Sequence, residues 1–452
     1  LLAVPMLLFL AAELQVAVRA AQWLTGFPPS LLLVLLAAAL GLTVGLGGMR
    51  SMSWSGTAQG IAALLALVVP ASLVAVLAGN LPVPQLSHGP TLRAIGRLET
   101  ILGVPIPILS PLSFDLAGTG LSPILQRFAT PFGALGPAAY VLTTFVVLAG
   151  IAAAPWLVMR TGTTPSVYES RKSQGWATVM GGLVLLTIAA IAVFLRDYVM
   201  DTLVGRSSTG LPEWFRTLAA TGHAAVDGFS ARLPLSSFSF KRDSALFALP
   251  FAAGFPGVSL YLLLVGVIAA AMAGAGAVVV ALGTTISEDV VSGPRWDPPS
   301  AMTRVWTARL ATLAAIGAGA AVTLLVPADP FALFLWSLAL IAATAFPVLA
   351  LSIWWKRLNS AGAAAAMLAG FTITTIAIVT GEVGLHPFKS ILAGAVGMPV
   401  AIAVALFVSN VFGQPSKAAL ELVLEMRIPG GETIVDREAR LHRLRERASG
   451  KT

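Results

Sequence analysis

A chain of 452 residues with 57% hydrophobic and only 11% charged side chains cannot cover a soluble surface, since soluble domains carry about 25% charged residues. That balance excludes a soluble enzyme, a nucleic-acid-binding domain and a disordered protein, and the mean hydropathy of +0.88 points to an all-α polytopic membrane protein. The absence of cysteine rules out disulfides and thiolate metal sites, and the net charge of +8 fits basic loops gathered on one membrane face.

A membrane-crossing helix needs about 20 mostly apolar residues, because lipid cannot satisfy its backbone polar groups. That rule predicts about ten spans, near 1–24, 31–46, 57–79, 137–159, 175–195, 256–283, 302–325, 331–355, 361–380 and 391–412. The first span carries Glu13 at its middle, the only carboxylate well inside a predicted span, with Gln15, Arg19 and Gln22 nearby. An ionisable group at that depth is costly and marks a substrate, ion or proton path, with a helix-packing role as the plain alternative. Arg19 reads as a side chain that snorkels to the interface.

The third span holds Pro70, and a long Pro- and Gly-rich loop follows over 80–136. The fourth span contains Gly150 and Pro155 in the run GIAAAPWLVMR. Proline removes a backbone donor and kinks a helix, and interrupted helices are where transporters expose backbone to a solute. A simple kink is the alternative. A second long loop covers 196–255. The sixth span runs through Ala270, Ala273 and Gly274 and ends in Thr284, Thr285, Ser287, Glu288 and Asp289, whose oxygens suit either a cation or a solvated helix end. Pro347 interrupts the eighth span. Small residues are dense in the sixth and seventh spans, which predicts close helix packing.

Arg50, Arg160, Arg171, Lys172, Arg295, Lys356 and Arg357 fall on the same face as a basic tail over 413–452. That face is expected to be cytoplasmic, and the loops over 80–136 and 196–255 extracytoplasmic. The tail stretch 432–448 alternates acid and base like a solvated helix. The four histidines, His88, His223, His386 and His442, lie outside the predicted spans and do not cluster in sequence. No HExxH, P-loop or GxSxG motif occurs, so no enzymatic activity is expected.

Four segments together resemble the sodium:solute symporter family, and within it the cation/acetate symporter branch. They are GLGGMRSMSWSGTAQ at 45–59, GIAAAPWLVMRTGTTPSVYESRKSQG at 150–175, AAAMAGAGAVVVALGTTISEDV at 269–290 and AFPVLALSIWWKRLNSAGAAAAMLAG at 345–370. Their order and spacing match as well. The resemblance implies a leucine-transporter-type inverted repeat with broken helices and a site near the bilayer midplane. It implies symport of a small organic anion such as a monocarboxylate with sodium or a proton, in the inner membrane, with no other cofactor.

On that resemblance, Glu13, Gln15, Gly150, Pro155 and Trp156 are pathway candidates. Ala270, Ala273, Gly274, Thr284 and Thr285 mark the remnant of a cation site. The departures carry weight too. The ten spans match the last ten of the family, and Leu1 opens inside an apolar run, which implies three earlier helices missing from the record. The hydroxyls usual at the sodium site are replaced by Ala273 and Gly274, and Trp156 stands where the family has His. A second reading follows from these departures: a non-transporting, symporter-like subunit that scaffolds or senses, with a membrane-protein partner supplying the missing helices.

Overall fold

The computed structural model describes residues 1–79, 81–105, 120–128, 132, 136–293, 300–326, 328–385, 390–415, 420, 423 and 442. Most of the basic tail with its expected helix over 432–448, Arg295 and His386 lie outside the described residues. The first helices are α1 (Ala3–Thr25), α2 (Pro29–Leu40) continued by a π-helical turn (Gly41–Leu46), and α3 (Gly48–Gly79). Among the described residues nine helical segments are long and apolar enough to cross a membrane, and one bent pair completes a tenth span. The fold is therefore a mostly helical, multi-pass membrane bundle.

The bent pair is the predicted fourth span. It is not one helix over 137–159 but α5 (Pro137–Ala152) and α6 (Pro155–Thr161), inclined at 45°. The cause is local. The residue before a proline is driven out of the helical region, and Ala154 adopts φ −63°, ψ 120°. Its N–H turns back to Ile151 C=O at 3.2 Å instead of continuing the helical ladder, and Pro155 then starts α6. Pro70, by contrast, sits inside a continuous α3, which begins nine residues before the predicted start at 57. Pro347 opens α13 (Phe346–Trp354) directly after α12 (Pro330–Thr344), so the eighth span is also jointed.

The remaining spans are α7 (Val167–Thr202), α10 (Gly257–Thr284) with a π-helical extension (Thr285–Ser292), α11 (Ala301–Leu325), α14 (Ser360–Glu382) and α15 (Ala393–Val411). Their starts follow capping chemistry. Ser166 accepts from Glu169 N–H at 3.2 Å, with Glu169 three residues in. Asp329 accepts from Phe331 N–H at 3.2 Å and Asn359 from Gly362 N–H at 2.7 Å. Each satisfies a donor that the first helical turn leaves open.

Three helices form the centre. More than half of the apolar stretch of α1, α10 and the α12–α13 pair is buried, at 56%, 61% and 67%, against 28% for α2, α7, α11 and α14. A buried hydrogen bond from Ser337 Oγ to Pro5 C=O, at 2.7 Å, pins α12 to α1. A tilted Phe9–Trp156 contact with centroids 4.4 Å apart brings α6 onto the same face of α1.

The two long loops are not open connections. They supply α4 (Pro84–Ile101), which holds His88, α8 (Glu213–Ala220), α9 (Ala245–Ala252) and three strands, β1 (Leu121–Pro123), β2 (Ala224–Val226) and β3 (Phe238–Lys241). The strands pair antiparallel in the order β1-β3-β2, with Leu121 opposite Lys241 and Ala224 opposite Phe240. Phe194, Phe215 and Phe238, each 1% exposed or less, form the core of this cap.

A buried ion pair ties α4 of the cap to the bundle. Arg196 near the end of α7 donates from Nε and Nη2 to Glu99 Oε1 at 2.9 and 2.5 Å. Both Glu99 oxygens also accept from Phe128 N–H, at 3.0 and 3.1 Å. The two side chains are only 7% and 1% exposed. Removing one partner of such a pair strands a buried charge and costs about 3–5 kcal/mol, whereas replacing both with apolar groups need not. Arg196→Met and Glu99→Leu are each expected to lower the thermal unfolding midpoint of the detergent-solubilised protein markedly. The double variant is expected to recover a large part of the loss.

Candidate functional site

The residues of α1 that line a cavity follow helical spacing. Glu13, Val16, Ala20 and Trp23 recur at steps of three and four, which places them on one stripe of the helix. Trp23 lies ten residues beyond Glu13, about 15 Å along the axis, so the stripe runs from the middle of the span to its end. Val267 of α10, Phe331 and Phe334 of α12, and Leu246 and Phe247 of α9 complete the apolar walls. The cavity volume is about 1060 Å³, at the upper end of small-molecule pockets.

Glu13 is the deep end. It is half-buried and forms no hydrogen bond or ion pair with another described residue. Its place is made by Gly274 of α10. A Cβ on Gly274 would fall 2.5 Å from Glu13 Oε1 and 2.9 Å from its Cδ, closer than side chains pack. Glycine at 274 thus lets the carboxylate lie against the backbone of the neighbouring helix while it faces the cavity.

The mouth is built by the cap. Arg242, just after β3, donates from Nη1 and Nη2 to both oxygens of Asp329, at 2.7 and 2.9 Å, in a two-point pair. It also holds Asp243 at 2.9 Å, and Asp243 in turn accepts from Arg19 of α1 at 3.0 Å. Arg19 therefore does not simply snorkel: it is the α1 end of a chain Arg19–Asp243–Arg242–Asp329 that joins α1, the cap and the start of α12. The Arg242 guanidinium lies 5.5 Å above the Phe331 ring, a cation–π contact. Burial alone raises the Asp329 pKa, but hydrogen bonds from Arg242 and from Phe331 N–H outweigh it and hold the carboxyl below its ordinary 3.8. Hydrogen bonding to Asp329 raises Arg242. Both shifts keep the Arg242–Asp329 pair ionised at physiological pH.

His223 stacks on Trp23 with centroids 3.9 Å apart and planes 11° apart, and its Nδ1 is 2.8 Å from Ser244 Oγ. Trp23 also meets Phe247 edge-on at 4.9 Å.

The other residues singled out in the sequence fall elsewhere. Gln15 is two residues, or about 200°, around the helix from Glu13. It donates to Val326 C=O at 3.5 Å and does not line the cavity. Gly150 packs α5 on α12, where a Cβ would come within 2.5 Å of Leu338 C=O. Pro155 starts α6, and Trp156 is buried behind Phe9, one aromatic layer from the cavity residue Phe334. Ala270 is exposed and Ala273 half-buried. Thr284 is ten residues past Gly274, about 15 Å further along α10, and its Oγ1 bonds Val280 and Ala281 C=O at 2.9 Å and Met159 Sδ at 3.2 Å. Thr285 begins the π-helical turn. The structure therefore joins Glu13 to Gly274 and separates both from Thr284 and Thr285. Among the described residues no group of three or more His, Asp or Glu side chains could hold a metal.

Sequence reading missed His223, Lys241, Arg242, Asp243 and Asp329. The alternation in Phe238–Lys241, followed at once by Arg-Asp, was the available signal for a strand delivering charge to a rim.

No family model matches the chain. A curated relative, an uncharacterized symporter of Cupriavidus necator, is 28% identical over 309 residues, which is 66% of this chain. The chain spans 44% of that relative's length. A solved Na+-coupled sialic acid symporter, in a substrate-bound outward-open state, superposes with a TM-score of 0.63 at 15% identity, covering 91% of this chain and 74% of that one. The structural likeness shows the fold alone: a leucine-transporter-type helical bundle.

The chain has no native cysteine, so single cysteines report water access directly. A cysteine in place of Glu13 is expected to react with a small cationic methanethiosulfonate reagent, and one in place of Gln15 to stay unreactive. Equal reactivity at the two positions would contradict the cavity.

Proposed function

We propose that this chain carries the pathway of a cation-coupled symporter for a small organic anion such as a monocarboxylate. The observation that supports it most is the cavity that descends to Glu13, a mid-span carboxylate fitted against Gly274. Intramembrane carboxylates facing water are the usual groups for binding a cation or a proton. The similarity to symporters in sequence and in fold favours the same reading.

On this reading Glu13 takes the part of the missing hydroxyls. Ala273 and Gly274 offer the coupling ion nothing but carbonyls, and sodium prefers hard oxygen ligands, as other hard cations do. The Glu13 carboxylate, lying beside Gly274, supplies such an oxygen. The same group could instead carry a proton, and the coupling ion is then H+. Ala270, Ala273, Thr284 and Thr285 stay outside this arrangement except as helix surface along the inner path. Gly150, Pro155 and Trp156 act through the joint between α5 and α6, which sets the packing behind Phe334. Gln15 acts as a tie between α1 and the end of α11.

The distribution of basic residues supports an orientation. The cap lies opposite the ends of the bundle that carry Arg50, Arg160, Lys356 and Arg357, so the cavity opens extracytoplasmically if that basic face is cytoplasmic. The protein then sits in the cell membrane with its tail inside, oriented for uptake.

Uptake of radiolabelled acetate and propionate into proteoliposomes tests the proposal. Glu13→Gln keeps the side-chain volume and removes the charge. It is expected to lower the initial rate by about ten-fold or more, the equivalent of about 1.4 kcal/mol, while Glu13→Asp retains part of it. Wild-type kinetics in Glu13→Gln would overturn the role of Glu13.

A further inference from the structure

The mouth of the cavity has a charge the ion chain does not cancel. Arg19, Asp243, Arg242 and Asp329 make two cations and two anions, each paired. Lys241 also lines the cavity and forms no ion pair with a described residue. The β-ribbon sets its neighbour. One step beyond the β2–β3 ladder, Lys241 N–H donates to His223 C=O at 3.0 Å, so the two residues stand opposite one another. Directly opposed residues in an antiparallel pair share a face of the sheet, and both side chains line the cavity.

The surroundings of this pair are one-sided. Trp23 covers the His223 ring, Ser244 Oγ sits at Nδ1, and Phe247 and Phe331 line the space next to them. Burial, and then the facing Lys241 charge, lower the pKa of His223, so Lys241 is a cation beside a half-buried neutral ring, with no anion opposite it. At the mouth the net surplus is one positive charge, which matches a monoanion; the Glu13 carboxylate of the same cavity lies about 15 Å deeper along α1. A dianion would leave a negative excess beside apolar walls. The aromatic rings fit a short hydrocarbon portion.

We propose that Lys241 and His223 form a capture site for a small monocarboxylate at the mouth of the cavity, above the aromatic walls and about one half-span from Glu13. The carboxylate pairs with the Lys241 ammonium, and its hydrocarbon end lies against Trp23 and Phe247. The ion chain beside it fixes the ribbon, so the site is held by the cap and not by a mobile loop. As a step in uptake this rests on the reading of the cavity as the solute path; as a binding site it stands alone.

The test is protection of Lys241 from reductive methylation by formaldehyde and a borane, read by peptide mass spectrometry on the full chain in lipid nanodiscs. Propionate is the probe, propionamide its neutral isostere, and sodium chloride balances ionic strength. Propionate at ten times its half-protecting concentration is expected to slow Lys241 methylation about ten-fold by mass action, with Lys172 and Lys356 unchanged. His223→Gln, which keeps a polar side chain, is expected to raise the half-protecting concentration several-fold. Glu13→Gln is expected to leave protection intact, so loss of uptake in that variant reports on the pathway and not on the capture site. Protection by propionamide or chloride equal to that by propionate would overturn the proposal, and so would equal labelling with and without propionate.

Discussion

The arrangement depends on one close approach, the Glu13 carboxylate against the backbone of α10 at Gly274. A charged group at mid-span is unfavourable in lipid and persists where it meets water, protein dipoles or a partner. Here the helices leave it a place because one of them has no side chain at the point of contact. Any Cβ at 274 would displace the carboxylate or spread α1 from α10. The small-residue run AAAMAGAGAVV is thus more than a packing surface. It sets how near a cation could come to both a carboxylate and a helix backbone.

The cap is the second layer of the same design. Glu99 and Arg196 are desolvated together and satisfied by Phe128 N–H and Gln126 C=O, so α4, the segment over 126–128 and the end of α7 are tied at one point. The Arg19–Asp243–Arg242–Asp329 chain then fixes the β-ribbon to α1 and α12. The consequence is a rigid rim on a cavity whose floor lies between transmembrane helices. Opening or closing that cavity requires the ion chain to break or the helices beneath it to tilt. Exposed pairs of this kind contribute little singly, but the bidentate Arg242–Asp329 contact is partly shielded and gives the rim a defined geometry.

Much of the bundle was legible in the sequence because the membrane imposes one strong rule, a full apolar length for each crossing. The span count and the mid-span depth of Glu13 followed from that rule, and the small residues at 273 and 274 stood out through the family resemblance. The contact between Glu13 and Gly274 did not, since residues 261 apart in the chain meet only through packing. Gln15 was misplaced for a simple reason: residues two apart on a helix face away from each other, so nearness in sequence to Glu13 carried no spatial meaning. The break at Ala154 was readable as a kink from Pro155, but its 45° angle depends on what α6 meets. The cap was least legible. Its short elements lack the periodic apolar signal that marks the spans, and its key pairs, Arg196 with Glu99 and Arg242 with Asp329, join residues 97 and 87 positions apart.

The central claim is that the cavity serves coupled transport, and gradient dependence tests it most directly. Proteoliposomes holding the purified chain would be given radiolabelled propionate under an inward sodium gradient, an inward proton gradient, both, or neither, with choline and buffer balancing the rest. The account predicts transient accumulation of propionate above its equilibrium level under at least one of these gradients, abolished when an ionophore collapses it. Uptake that only equilibrates, at the same rate with every gradient and with none, would contradict it.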